Sequence, residues 1–270
     1  MSYSEVDGVR LYNQVLNPKG SPTVVMVHGL YTHHGIFFWC GARELAQLGY
    51  KVVLYDLRGH GFSKGRADGF RLRDMAHDLI GLLDALGIDQ VFLVGYSFGG
   101  AIVVETALEA PNRVLGVALL EAAGLKSSSL VEVDDVDQKI TETLAGYSES
   151  IGMKLPARSA KQFRDTVHSL LDAGLLADAR ADADFFWNAP LETMTRPALL
   201  VYGQSSPYIE DGHAAAARLP HSQLLLLEGD HNMVVRQGDA IAQRLVEFSA
   251  TMVVDSSVQP ASGPEASEAR

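Results

Sequence analysis

The sequence holds a single cysteine, Cys40, in 270 residues. One thiol excludes an internal disulfide and suits a reducing compartment. Cys40 follows Phe38 and Trp39, which points to an ordinary semi-buried side chain over a reactive thiol. No apolar run approaches the roughly 20 residues of a membrane-spanning helix. No basic-then-apolar leader opens the chain, so a cytoplasmic protein without a membrane partner is expected. Basic residues are scarce: 22 Lys and Arg against 33 Asp and Glu give a formal charge of -11. No basic patch is evident, which argues against a nucleic-acid partner. Internal repeats are absent as well.

What is present is apolar sequence, 47% of the chain, enough for one large core or a core with a lid. Short continuous apolar runs suit strands covered on both faces, as in a parallel sheet. They occur at Thr23–Val27, Lys51–Tyr55, Val91–Val94, Val114–Leu120, Ala198–Tyr202 and Leu224–Leu227, after an earlier strand at Val9–Leu16. Helical patterns alternate with them at Phe37–Leu48, Leu72–Leu86, Ala101–Ala110, Ala214–Arg218 and Ala240–Phe248. The alternation breaks between residues 125 and 190. That stretch has an acidic patch (Glu132, Asp134, Asp135, Asp137) and helical patterns around Ile140–Leu144 and Phe163–Leu171. An insertion this long in a compact fold reads as a lid. The expected organisation is a core of residues 1–124 and 191–252, a helical lid at 125–190, and a disordered tail at 253–270, rich in Ser, Pro, Gly, Ala and Glu.

The stretch that carries chemistry is Gly95-Tyr96-Ser97-Phe98-Gly99-Gly100, between an apolar strand and a helix. This is Gly-x-Ser-x-Gly, a nucleophile elbow. A strained turn pushes the serine hydroxyl outward, and small flanking residues give the turn room. The helix behind it aims backbone N–H groups at a reacting carbonyl, where negative charge builds up.

Strand, helix and elbow together resemble the α/β-hydrolase family over roughly residues 5 to 250. His28-Gly29-Leu30-Tyr31 looks like the family's oxyanion loop. Asp56-Leu57-Arg58-Gly59-His60-Gly61-Phe62-Ser63 resembles a loop of its epoxide hydrolase, peroxidase and esterase members. Gly229-Asp230-His231-Asn232 stands where the catalytic histidine is expected, and serine first, histidine last is the family order. The resemblance implies a mostly parallel sheet flanked by helices, an α/β fold with its site at the strands' carboxyl ends.

It also implies roles. Ser97 is the expected nucleophile and His231 its base. Of the other histidines, His28 and His60 fall in loops where the family uses histidine structurally. His33 and His34 read as solvated loop, His77 lies in a helix and His168 in the lid. Backbone N–H groups of Leu30 and Phe98 are the expected oxyanion donors. Tyr31, Tyr96 and Trp187 are candidate substrate contacts, Trp187 within Phe185-Phe186-Trp187. The third triad member departs from the family. Its acid usually follows the strand ending at Tyr202, where this chain has Gly203-Gln204-Ser205-Ser206-Pro207-Tyr208, with Ser206 in the acid's place. Glu121, ending the adjacent strand, is the favoured substitute, because a carboxylate at a buried strand end rarely goes unpaired. Glu210, Asp211 or no acid at all are the alternatives; Asp230 points elsewhere.

The expected activity is hydrolysis of an ester, thioester or lactone of a medium-sized apolar small molecule, with no metal or cofactor. A cofactor-free carbon–carbon hydrolase or lyase on the same triad, and a catalytically weakened binding relative, are the rivals. The dehalogenase and epoxide hydrolase branches normally carry an aspartate nucleophile, which Ser97 replaces.

Overall fold

The computed structural model describes residues 2–122, 136–150 and 152–256. Glu132, Asp134 and Asp135 of the acidic patch lie outside the described residues, as does the tail beyond 256. In chain order the chain forms β1 (Ser2–Val6), β2 (Val9–Leu16), β3 (Thr23–Val27), α1 (Ala42–Gln47), β4 (Lys51–Tyr55), β5 (Lys64–Gly65), α2 (Leu72–Ala85), β6 (Val91–Tyr96), α3 (Phe98–Glu109) and β7 (Val114–Leu120). Helices α4 (Val136–Ser150), α5 (Ala157–Asp172), α6 (Leu175–Ala181) and α7 (Phe185–Asn188) follow, then β8 (Ala198–Gly203), α8 (Ile209–Arg218), β9 (Ser222–Leu227), α9 (Met233–Arg236) and α10 (Gly238–Ser256).

The strands make one sheet in the order β1-β2-β4-β3-β6-β7-β8-β9, with β5 on β2. From β4 to β9 every pairing is parallel, and β1, β2 and β5 join antiparallel at one edge. Parallel strands here are buried on both faces, which is why their sequences read as unbroken apolar runs. Side chains alternate across the sheet. Val25, Val53, Leu93, Val117 and Leu200 face a layer that includes α2 and α3. Val24, Val52, Phe92, Ala118 and Leu199 face one that includes α1 and α10. The connections run outward from β3 in one direction and from β6 in the other, so the carboxyl ends of these two neighbours flank a crevice.

The four helices between β7 and β8 are tied to the core by α2. Helix α2 begins without a side-chain cap of its own, and Asp178 and Asp182 supply one by accepting the Phe70 and Leu72 N–H groups at 2.7 Å each. Carboxylates also suit the positive end of that helix. No helix among the described residues is long and apolar enough to cross a membrane.

Several elements differ from the sequence reading, three of them for reasons that packing and sequence show. The helix expected over Phe37–Leu48 is two pieces, a 3-10 turn at His34–Trp39 and α1. Gly41 separates them at φ 92°, where a Cβ would meet the Cα of Ala242 at 2.9 Å, so α10 packs too closely to permit a continuous helix. Strand β1 is an addition; only Ser4 and Val6 turn inward, so its alternation carries little apolar signal. Helix α10 continues past Phe248 into the expected tail, to Ser256, since no Pro or Gly stops it before Pro260.

Candidate active site

Ser97 sits between β6 and α3 at φ 53° and ψ -123°, a conformation that non-glycine residues avoid. Packing explains how the strain is held. The Ser97 N–H donates to the Leu120 carbonyl at 2.9 Å, tying the elbow to β7. A Cβ at Gly99 would run into the Val27 carbonyl, and one at Gly95 into the backbone of Gly99 and Gly100. At Gly29 a Cβ would come within 2.9 Å of the Ser97 Cβ, so the loop after β3 lies directly against Ser97.

That loop is fixed from below. His28 is fully buried; its Nδ1 is 2.7 Å from the Gly29 carbonyl and its Nε2 accepts the Leu57 N–H at 3.0 Å. This pattern requires a neutral ring with its proton on Nδ1. Burial agrees, holding the imidazole down to about 3. Among the described residues, neither the Leu30 nor the Phe98 N–H donates to another group. Phe98 is the first residue of α3, where helix geometry leaves the amide without an intrahelical acceptor. Both expected oxyanion donors thus border the elbow with unspent N–H groups.

His231 lies on the loop after β9. Its Nδ1 is 3.0 Å from Glu121 Oε2. The ring lies flat against Tyr96, the residue before Ser97, with centroids 5.3 Å apart and planes at 20°. Tyr208 meets it edge-on at 4.7 Å. The Tyr96 hydroxyl donates to the His231 carbonyl at 3.3 Å, which pins the loop as well as the ring. Nε2 makes no hydrogen bond to another described residue, the Ser97 hydroxyl included, and so keeps its bonding capacity.

Glu121 directly follows β7 at φ 51°, with no exposed surface. Its N–H donates to the Val201 carbonyl at 2.8 Å. Its carboxylate accepts from the Gly203 N–H through Oε1, and from the Ser206 hydroxyl at 2.5 Å and His231 through Oε2. A buried charge is tolerated only when so surrounded by donors. Of the other candidate acids, Glu210 is exposed on α8, and Asp211 is buried in its first turn, near enough to act on Tyr202 and Tyr208. Asp230 accepts from the Asn232 N–H at 3.0 Å and from Arg236 at 2.9 Å.

The expected substrate contacts divide. Tyr31, at φ 63°, packs edge-on against Phe163 of α5 with centroids 6.2 Å apart, joining the loop after β3 to the inserted helices. Burial raises its phenol to about 12. The Tyr96 ring is spent on His231. The side chain of Trp187 lies outside the described residues. Sequence reasoning missed Tyr208 and the donor role of Ser206; a serine flanked by a buried strand end and a tyrosine was the only signal.

Two further expectations need correction. His34 is buried, not solvated; its Nδ1 is 2.7 Å from Asp56 Oδ1, while His33 remains exposed and caps the turn at Gly35. Cys40 is fully buried, its thiol pushed up to about 12 by burial. His33, His34 and Asp56 are the described side chains whose ligand-type atoms lie close together, within 4.8 Å. His34 and Asp56 bond each other, and Phe62 N–H takes the second Asp56 oxygen at 2.8 Å. These bonds make the set a brace between loops.

A family model described as the alpha/beta hydrolase fold matches residues 22–190. The dihydrolipoyllysine-residue acetyltransferase component of the acetoin cleaving system of Cupriavidus necator is 31% identical over 203 residues, 75% of this chain; the match spans only 48% of that protein. The 3-oxoadipate enol-lactonase 1 of Acinetobacter baylyi is 23% identical over 249 residues, 87% of this chain and 91% of its own length. An esterase from Exiguobacterium antarcticum superposes with a TM-score of 0.75 at 22% identity, covering 92% of this chain and 99% of its own. With the elbow, the loop after β3 and the terminal histidine in their places, the chain belongs to the family of the alpha/beta hydrolase fold.

Proposed function

We propose that this hydrolase cleaves an ester, thioester or lactone of a medium-sized apolar small molecule through Ser97, His231 and Glu121. The observation that carries the reading is the 3.0 Å contact between His231 Nδ1 and a buried carboxylate, beside a strained serine elbow. It weighs against a weakened binding relative, whose motive was a missing acid. The enol-lactonase and esterase among the similar proteins suggest the bond class.

Ser97 Oγ attacks the substrate carbonyl while His231 Nε2 takes its proton. Charge moves onto the carbonyl oxygen, where the Leu30 and Phe98 N–H groups receive it. The tetrahedral species expels the leaving group, which takes the proton from His231. Water then attacks the acyl-serine, His231 removes the water's proton, and the acid departs as Ser97 is restored. Glu121 holds the ring in the productive tautomer and stabilises the imidazolium. Every proton has a carrier in the triad, so the route needs no metal or cofactor. Residues 125–190 act as a lid, with Tyr31 and Phe163 facing the acyl group. A reducing, cytoplasmic setting suits the lone buried thiol.

Incubation with a fluorophosphonate tests the reading. Intact mass should rise by one adduct, located on Ser97 by peptide mapping, and Ser97→Ala should take up none. A folded native protein that stays unlabelled contradicts it.

A further inference from the structure

We infer that Ser206 is a positioning residue: its hydroxyl holds the Glu121 carboxylate on the His231 ring, standing in the loop as a donor to the acid. The inference rests on the triad reading above.

The hydroxyl's bonding is fully determined by its surroundings. Its oxygen accepts the Tyr208 N–H at 3.1 Å. Its proton must therefore point elsewhere, and Glu121 Oε2 is 2.5 Å away. An ionised carboxylate has no proton to give, so the serine is the donor. Such charge-assisted hydrogen bonds are short and stronger than neutral ones. The backbone holds the serine in place, since the Ser206 N–H donates to Gly203 at 3.0 Å and its carbonyl accepts from Ile209 at 3.3 Å. Ser206 is only 5% exposed, so water cannot take over the bond without a rearrangement.

The consequence lies in which oxygen is shared. Gly203 takes Oε1, whereas Ser206 and His231 both meet Oε2. One oxygen alone secures the head of a glutamate that still has rotatable bonds. Loss of the Ser206 donor would leave Oε2 held by the imidazole only, the group it is meant to orient. It would also leave more negative charge on Oε2 for the imidazolium, favouring the protonated ring. Among the described residues, the other titratable groups around this pair are Tyr96, Tyr202 and Tyr208, with Asp211 acting on the last two. Burial holds all three phenols above their ordinary range, so they stay neutral near and below pH 7.

The test is the second-order rate of Ser97 labelling by a fluorophosphonate, measured against pH in the native protein, Ser206→Ala and Ser206→Thr. In this probe reaction the serine oxygen bonds to phosphorus, fluoride leaves and the serine proton goes to His231. Ser206→Ala should slow labelling at neutral pH by about 10-fold, the scale of one hydrogen bond to a charged group. The acid limb of its rate profile should move to higher pH. Ser206→Thr, which keeps the hydroxyl, should restore the rate and the limb. If Ser206→Ala does not fold, Ser206→Cys replaces it, since a thiol fills the site but donates weakly, and the same slowing and shift are expected. Native rate and native limb in the folded Ala or Cys variant overturn the inference while leaving the hydrolase reading intact. An unlabelled native protein overturns both.

Discussion

Two buried carboxylates sit at the ends of two strands, and each holds an imidazole. Asp56, after β4, accepts from His34 Nδ1 at 2.7 Å, the His34 N–H at 2.8 Å and the Phe62 N–H at 2.8 Å. Glu121, after β7, accepts from Gly203, Ser206 and His231. Neither carboxylate has exposed surface. The difference lies in the partner. His34 is buried, with Tyr12 at 5.1 Å and Phe62 at 6.2 Å. The His231 side chain keeps 24% of its surface open. A carboxylate–imidazole pair is thus not a catalytic signature by itself. The ring of the proposed catalytic pair is left partly open, whereas the ring of the other is closed in and braces two loops.

The two pairs should separate most widely when their histidines are removed. His231→Ala should cost about 10⁴- to 10⁶-fold in Ser97 reactivity, the range seen when a triad member is lost. His34→Ala should keep reactivity within about 10-fold and instead lower the urea midpoint. Labelling rates and urea melts on the same samples check both, and reversed outcomes would exchange the two assignments. Asp56→Asn sharpens the contrast. Removing a buried, fully bonded charge should cost about 3 kcal/mol of unfolding free energy, with labelling of the folded fraction retained.

Acid should find the brace side first. Burial holds His28 at about 3 and His60 at about 4, both below an unfolded imidazole. Between about pH 6.5 and those values the unfolded chain binds more protons, so stability falls with falling pH, by up to about 1.4 kcal/mol per pH unit for each ring. Burial pushes the Asp56 carboxyl up, but the hydrogen bonds from the His34 ring, the His34 N–H and the Phe62 N–H outweigh it, leaving it below its usual value. Its contribution is present above the unfolded value and disappears as the pH falls through the folded one. Urea midpoints between pH 7 and pH 4 should decline steadily, and His60→Gln should flatten the slope. The smallest effect belongs to Tyr208. Losing its edge-on contact in Tyr208→Ala should slow Ser97 labelling by about 3- to 10-fold, the scale of one aromatic pair.

Sequence and structure agree most where the chemistry is local. The elbow is written in six consecutive residues because Gly95 answers a steric demand made within the same turn, while Gly99 answers one made by the neighbouring strand β3. The parallel strands are legible because burial on both faces leaves no polar alternation. The acid was not legible in the same way. Glu121 and His231 are 110 residues apart, and it takes the successive pairings of β7 with β8 and of β8 with β9 to bring the end of β7 near the loop after β9. Sequence favoured Glu121 over Glu210 and Asp211 because it ends a buried strand, but could not show which ring its carboxylate meets. Ser206 marked the absence of a charge, while its hydrogen bond to that displaced charge is a relation through space. The break at Gly41 likewise depends on Ala242, 201 positions away by the numbering, which no local pattern records.

The measurement that bears most directly on the account is the rate of Ser97 phosphonylation in Glu121→Gln, with the fold checked by circular dichroism. The amide keeps the size of the side chain and removes its charge. A folded variant labelled about 10⁴-fold more slowly than native is expected, by analogy with loss of the acid's charge in serine proteases. A folded variant labelled at the native rate would contradict the assignment of Glu121 as the acid and, with it, the distinction drawn between the two buried pairs.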